Sequence, residues 1–369
     1  MPERYVQRDQ IVGSQGITYR AVDRETSQKV VVKMARPAAR SADLEAFRRE
    51  AAFVSSLRHE NIVQVLAVDT TGEKFAPHMV TEMIEGNVLE HHIRARRRLT
   101  HEQVAAVGAQ LMAGLDAIHT AGIAHRDINP RNALITDAGT LKIIDFGVSA
   151  HLGEPVDGRP NGTLGYLAPE VAEALLRRNR GEVRSVPLIA ESSPDVFAAG
   201  VTMWELARDR YLFDNDEQGL PAQARGRVPP LSVVVPDVPP ALGRVVADMT
   251  AKNPRDRPTA GEAAEELRAI VSDLSGSERG TVLPVRGLDH DNRHRNPPNA
   301  TQRADSAPAP PTAARPTAPE PAATRAVRGF GPAKKALPPG PIAVDTTDRT
   351  ATQATGAENH VRIDEERGR

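Results

Sequence analysis

Cysteine is absent from all 369 residues, which excludes disulfide scaffolds, cysteine-ligated zinc and thiol catalysis. No apolar run approaches the roughly 18 residues that a membrane-spanning helix requires. The opening Met1-Pro2-Glu3-Arg4 lacks the basic-then-apolar pattern of a secretory leader, so the expected compartment is the cytoplasm. Neither sign of charge dominates: 47 Lys+Arg face 48 Asp+Glu, a formal net of -1. That balance argues against a strongly basic nucleic-acid binder and against a highly acidic solvating chain.

What is present divides unevenly along the chain. From Gly276 to Arg369 there are 13 prolines, one aromatic residue (Phe330) and no apolar periodicity. Such a stretch cannot bury enough surface to offset its ordering entropy, so a disordered tail over 276–369 is expected. Runs such as Ala307-Pro308-Ala309-Pro310-Pro311 bias it toward extended polyproline conformations. Residues 1–275 must then hold the fold.

That front part changes character in the middle. Val6 to Val12, Ile17 to Val22 and Val30-Val31-Val32 are short β-prone runs punctuated by Gly13, Gly16 and polar turns. A helical stripe follows at Leu44, Phe47, Ala51, Val54 and Leu57, then strand-like runs from Ile62 to Val68 and His78 to Thr81. After Gly86 the pattern turns helical. Thr100-His101-Glu102-Gln103 forms a capping box ahead of the stripe Val104, Val107, Leu111, Leu115 and Ile118, with Gly122 just past its end. A second capping box, Thr259 to Glu262, opens a last helix through Ala263, Leu267, Ile270 and Leu274. The order predicts an α+β chain of two lobes, a small strand-rich one followed by a larger helical one.

Between the long helix and an apolar run stands His125-Arg126-Asp127-Ile128-Asn129-Pro130-Arg131-Asn132, and Asp145-Phe146-Gly147 follows Leu141-Lys142-Ile143-Ile144. Gly162-Thr163-Leu164-Gly165-Tyr166-Leu167-Ala168-Pro169-Glu170 comes next, and Val30-Val31-Val32-Lys33 lies upstream. With these motifs in this order, the chain resembles bacterial eukaryotic-like (Hanks-type) serine/threonine protein kinases from about Tyr5 to Leu274. The resemblance implies a bilobal fold, with a small antiparallel-sheet lobe carrying one helix over about 1–84 and a larger helical lobe over about 85–275. It also implies ATP and Mg²⁺ (or Mn²⁺ in its place), and Ser/Thr hydroxyls of protein substrates as acceptors. It also leaves room for a homodimer that phosphorylates itself in trans, and calls for no nucleic acid and no membrane span.

The site residues follow from the same resemblance, beside a physical rationale for each. Phosphoryl transfer asks the protein for charge management more than covalent chemistry. Asp145 and Asn132 would supply the one or two protein oxygens that Mg²⁺ needs, and Asp127 would orient or accept the acceptor's hydroxyl proton. Lys33 leaves a rigid strand and would hold the α- and β-phosphates. Glu50 sits beside the apolar stripe, where a carboxylate is unusual unless a cation meets it. Its alternatives are Lys33 or a surface network with Glu45, Arg48 and Arg49, and the face favours Lys33. Gly13 and Gly16 resemble the second and third glycines of the phosphate-covering loop; Ile11 takes the first position, and Thr18 that of the adenine-covering residue. Met79 to Gly86 resembles the hinge, with Thr81 as a small gatekeeper and the backbones of Glu82 and Ile84 facing adenine. Glu170 would pair with Arg257, Asp195 would open a large buried helix, and Val54, Val65, His125 and Phe146 match a stack linking the lobes.

The pattern departs in four places. Asn129 stands where most such kinases carry a lysine at the γ-phosphate, and Arg131 is either its replacement, as in some tyrosine kinases, or a solvent-facing arginine common in the family. Ile11 replaces a glycine. Arg126 implies a positive pocket that a phosphorylated loop usually neutralises, yet Val148 to Leu167 offers only Ser149, Thr163 and Tyr166 as acceptors. Glu154 or Asp157 would supply that charge permanently, so activity should depend little on loop phosphorylation. Last, 24 residues separate Glu170 from Asp195, with the basic stretch Arg177-Arg178-Asn179-Arg180, and read as a solvated insertion. Tail hydroxyls such as Thr312, Thr317, Thr346 and Thr347 are either self-phosphorylation sites or inert linker. Asn129 and Ile11 leave a nucleotide-binding pseudokinase scaffold as the alternative; a small-molecule phosphotransferase ranks below both, because it normally lacks the Ala-Pro-Glu segment.

Overall fold

The computed structural model describes residues 2–12, 16–36, 39–96, 99–156, 162–182, 188–214 and 216–277. Gly13, Asp157 and the expected tail from 278 onward, with its four threonines, lie outside the described residues.

The chain first builds a five-stranded sheet from β1 (Tyr5–Val12), β2 (Ile17–Asp23), β3 (Lys29–Met34), β4 (Val65–Asp69) and β5 (His78–Glu82), in the order β1-β2-β3-β5-β4. Every pairing in it is antiparallel. Alternation along β3 fixes its faces: Val30, Val32 and Met34 are buried against Tyr5, Ala21 and Val80, while Val31 and Lys33 look the other way. Gly16 closes the β1–β2 turn so near β3 that a Cβ would sit 2.9 Å from the Met34 carbonyl oxygen. Helix α1 (Ser41–Ser56) buries Phe47, Ala51 and Val54 of the predicted stripe; Leu44 is only partly buried, and Leu57, also buried, caps the helix end. The run from Ile62 is only half strand. Ile62 makes a lone parallel bridge to Ile143, because Asn61 is tied by its side chain to the Leu141 carbonyl, and regular pairing begins at Val65.

The larger lobe opens with β6 (Gly86–Val88), α2 (Leu89–Arg94) and α3 (His101–Thr120). Both capping boxes form: Gln103 N–H donates to Thr100 Oγ1 at 3.2 Å, and Glu262 N–H to Thr259 Oγ1 at 3.2 Å. Gly122, at φ +75°, turns the chain out of α3. The short strands β7 (Ile123–Ala124), β8 (Ala133–Thr136) and β9 (Leu141–Ile143) follow, and β6-β8-β9 form a small sheet. Beyond them come β10 (Ala150–His151), β11 (Pro155–Val156), α4 (Pro169–Asn179), β12 (Leu188–Ile189) and α5 (Ser193–Arg208). The lobe is completed by α6 (Leu220–Arg225), α7 (Leu231–Val234), α8 (Pro240–Met249), a 3-10 turn at Pro254–Asp256 and α9 (Ala260–Ser277). Helix α5 is buried from Asp195 to Ala207 and is the axis of this core.

One expectation is corrected here. The segment between Glu170 and Asp195 is not simply solvated. Its first part extends α4, whose last turn carries Arg177 and Arg178 where cations complement the helix dipole. Its end forms β12, which pairs antiparallel with β11. Among the described residues no helix is long and apolar enough to cross a membrane.

Candidate active site

Strand register gathers the small-lobe residues. Thr18 lies opposite Lys33, Val31 opposite Thr81 and Lys33 opposite Met79, and directly opposed residues share a face. Thr18, Lys33 and Thr81 therefore stand on the face that Val30 and Val32 avoid. From it Lys33 Nζ reaches Glu50 Oε1 at 2.5 Å and Asp145 Oδ1 at 3.5 Å. Burial would lower the Lys33 ammonium, but the carboxylates of Glu50 and Asp145 hold it above its ordinary value. The surface alternative for Glu50 is not realised: Arg48 meets Glu45 at 3.9 Å, and Arg49 pairs with Glu154. In the hinge, the Glu82 carboxylate accepts from Lys142 Nζ at 2.8 Å and from Gln64 N–H at 2.9 Å, and the Glu82 N–H donates to the Gln64 carbonyl at 3.0 Å, so of its backbone groups only the carbonyl could serve an adenine. Ile84 packs against the main core. The side chain of Ile11 lies outside the described residues, though its backbone pairs with Thr18.

The loop from His125 to Asn132 is held from below and from the side. The buried carboxylate of Asp195 accepts from His125 N–H at 2.8 Å and Arg126 N–H at 2.7 Å, and lies 3.0 Å from His119 Nε2. Burial would raise that carboxyl; the His119 contact and the loop amides keep it below its ordinary value. Arg126 and Asp145 both adopt positive φ, +69° and +63°; Asp145 faces Lys33, and Arg126 Nη1 donates to the Val148 carbonyl at 3.0 Å. Phe146 is buried and meets His125 edge-on at 4.9 Å, joining a core that includes Val54 and Val65.

Asp127 is the centre of the hydrogen bonding. Its Oδ1 accepts from Thr163 N–H and Thr163 Oγ1, each at 2.8 Å, and from Asn129 Nδ2 at 3.1 Å. Its Oδ2 accepts from Asn132 Nδ2 at 2.8 Å. Burial pushes the Asp127 carboxyl up; the Thr163 hydrogen bonds pull against this and nearby Asp145 adds to it. Asn129 is buried and also donates to Thr163 Oγ1 at 3.1 Å. The position that usually carries a lysine thus holds an amide that joins this loop to the segment leading into α4.

Asn132 and Asp145 fit a hard divalent cation. The Asn132 amide nitrogen is spent on Asp127, which leaves its oxygen as the free end, and Ile144 N–H donates to the Asn132 carbonyl at 2.9 Å, keeping the two residues adjacent. The Asp145 side chain is 40% exposed and so open to an ion and its water. Carboxylate and amide oxygens are the donors that Mg²⁺ prefers.

Arg131 requires a correction. Its Nε lies 2.7 Å from Glu90 Oε1, and Arg94 meets the same carboxylate at 3.5 Å, so the guanidinium is drawn toward α2 rather than held at a phosphate. The Glu170–Arg257 pair forms as expected, bidentate with both contacts at 2.8 Å. Residues that motif reading did not single out are Glu90 and Glu205; the latter is buried and accepts from Tyr166 Oη at 2.7 Å. Glu205 follows Trp204 on a helix buried all round, and an acid inside such a run was the available signal.

Comparison with known proteins agrees with this geometry. The family model described as protein kinase domain matches residues 7–267. The chain is 30% identical over 268 residues to the probable serine/threonine-protein kinase PknB of Lactococcus lactis, covering 71% of this chain and 40% of that protein. It is 32% identical over 299 residues to the serine/threonine-protein kinase PknL of Mycobacterium tuberculosis, covering 79% and 71%. To the serine/threonine-protein kinase PrkC of Bacillus subtilis it is 29% identical over 278 residues, covering 73% and 40%. The chain thus spans about two fifths of the length of PknB and PrkC and a larger share of PknL. Motifs, lobes and the Lys33–Glu50 contact agree with the match, and the chain belongs to the protein kinase domain family.

Proposed function

We propose that this chain transfers the γ-phosphoryl group of ATP to serine and threonine hydroxyls of protein substrates, itself included, in the cytoplasm. The observation that carries the reading is the charge relay across the lobes: Glu50 to Lys33 at 2.5 Å and Lys33 to Asp145 at 3.5 Å. Residues 1–275 form the catalytic domain in this reading, divided near residue 84.

Each group then has a task. Lys33, steadied by Glu50, meets the α- and β-phosphates. The backbones of Glu82 and Ile84 receive the adenine, with Thr81, Thr18 and Ile11 around it and Gly13 and Gly16 over the phosphates. Asn132 and Asp145 hold Mg²⁺, which when bound offsets the negative charge of the phosphate oxygens. Asp127 orients the acceptor hydroxyl and takes its proton as the oxygen bonds to the γ-phosphorus and the bond to the β,γ-bridging oxygen breaks. Its raised basicity suits that role. Thr163 and Asn129 fix the rotamer of Asp127, so the carboxylate is aimed before substrate arrives.

ATP labelled in its γ-phosphate, incubated with the full chain and a generic basic protein, tests the reading. Label should appear on serine and threonine of both proteins, and Asp127→Asn should lower kcat by about 10²–10⁴-fold while MgATP still binds. Unlabelled protein with intact nucleotide binding, or an Asp127→Asn chain as active as the parent, overturns it.

A further inference from the structure

The segment between Asp145 and Glu170 contains no hydroxyl free to receive a phosphate. Ser149 Oγ donates to the buried His125 carbonyl at 3.3 Å, Thr163 Oγ1 donates to Asp127, and Tyr166 is buried with its hydroxyl on Glu205. Residues 157–161, which lie outside the described part, read Asp-Gly-Arg-Pro-Asn and add none. A carboxylate nevertheless sits where such a segment meets the small lobe. Glu154 pairs with Arg49 of α1, the residue immediately before Glu50.

The contact is built on both sides. On α1, the Arg49 guanidinium lies over the Phe53 ring at 5.3 Å, and Phe53 meets the His151 ring edge-on at 4.8 Å. Glu154 Oε2 also accepts from His151 N–H at 3.2 Å, which fixes the carboxylate at the end of its turn. The turn is backed by the segment ahead of α5: Gly153 N–H donates to the Ala190 carbonyl and Ala190 N–H to the Glu154 carbonyl, each at 2.9 Å, alongside the β11–β12 pairing. Leu152 N–H donates to the Gly122 carbonyl at 2.8 Å. Half-buried Arg126, whose N–H donates to Asp195, also lies within electrostatic reach of both Arg49 and Glu154.

We propose that Glu154 and Arg49 are a positioning pair: a carboxylate encoded in the chain holds α1 against the segment and so sets the Lys33–Glu50 contact with no phosphate required. The inference rests on the kinase reading above and adds the means by which its active arrangement is maintained. The stretch between Glu170 and Asp195 gains a role from it, since the end of that stretch is the backstop behind Glu154.

The test uses the full chain after phosphatase treatment, with two readouts: kcat/KM on a basic protein, and hydrogen exchange of the α1 amides, which needs no turnover. Glu154→Gln and Arg49→Gln should each lower kcat/KM about tenfold and speed α1 exchange by a similar factor. The double variant should be no worse than either single one, and Arg49→Lys should stay within about threefold of the parent. Full activity in the phosphatase-treated Glu154→Gln chain, or losses that multiply in the double variant, overturns the pair. If the parent shows no turnover while the exchange pattern follows the cycle, the kinase reading falls and the pair stands.

Discussion

The two ends of the segment from Asp145 to Glu170 are fastened by ion pairs of opposite character. At the far end, Glu170 meets Arg257 in a bidentate contact with the guanidinium fully buried, stacked over Phe197 at 4.9 Å and donating to the Ala251 and Lys252 carbonyls. At the near end, Glu154 meets Arg49 through one nitrogen, with side chains 32% and 40% exposed. A buried pair has no water to replace a lost partner, whereas an exposed one contributes little to global stability and is screened by salt. The far end is thus architecture. The near end has the energy scale of an adjustment, which suits a contact that sets the pose of one helix rather than the integrity of a lobe.

Removing the far anchor should have the largest effect on stability. Glu170→Ala leaves Arg257 buried among carbonyls without a counter-charge, and should cost about 3–5 kcal/mol, read as a lowered Tm and denaturant midpoint. Glu154→Gln should move the Tm little by comparison, and equal losses at the two ends would break the contrast.

A middle-sized effect should come from Glu205, which supports the far end through Tyr166. Burial pushes its carboxyl up to about 7, against hydrogen bonds from Leu212 N–H and Tyr166 Oη. A carboxyl raised on folding contributes stability that is complete below the unfolded value and lost as pH rises through about 7. Stability should therefore fall by about 2–3 kcal/mol between about pH 5 and pH 8, and Glu205→Gln should flatten that slope. An unchanged slope in Tm against pH would remove Glu205 from the far anchor. The smallest effect belongs to Arg131, whose guanidinium is spent on Glu90: Arg131→Ala should leave kcat within about threefold.

The same contrast explains what could be read from the chain. Local grammar carries the far end and the core: the Thr100 and Thr259 capping boxes, the α1 stripe and the Asp-Phe-Gly turn are short-range patterns with one physical solution each. Lys33–Glu50 was legible because a carboxylate beside an apolar stripe needs a buried cation. The near end was not so open. Glu154 was one of two candidate charges, but its partner lies 105 positions away, and β11 and β12 are two residues each, too short to show a period. Arg131 is ambiguous in the sequence for a related reason: its spacing from Asp127 allows a phosphate contact or a solvent-facing role, and Glu90, 41 positions earlier, sets its direction. Asn129 reads in sequence only as a lost cation, because the Thr163 hydroxyl that its amide reaches lies 34 positions away.

Asp195 gathers the His125 and Arg126 amides onto a carboxylate that belongs to α5, a helix with no solvent-facing side over most of its length. Mechanical rigidity therefore enters the reaction centre from the deepest part of the molecule, and the loop borrows the stiffness of a rod it is not part of. A conservative change in the middle of that rod, remote from every reacting atom, would reach chemistry by tilting the platform on which Asp127 stands.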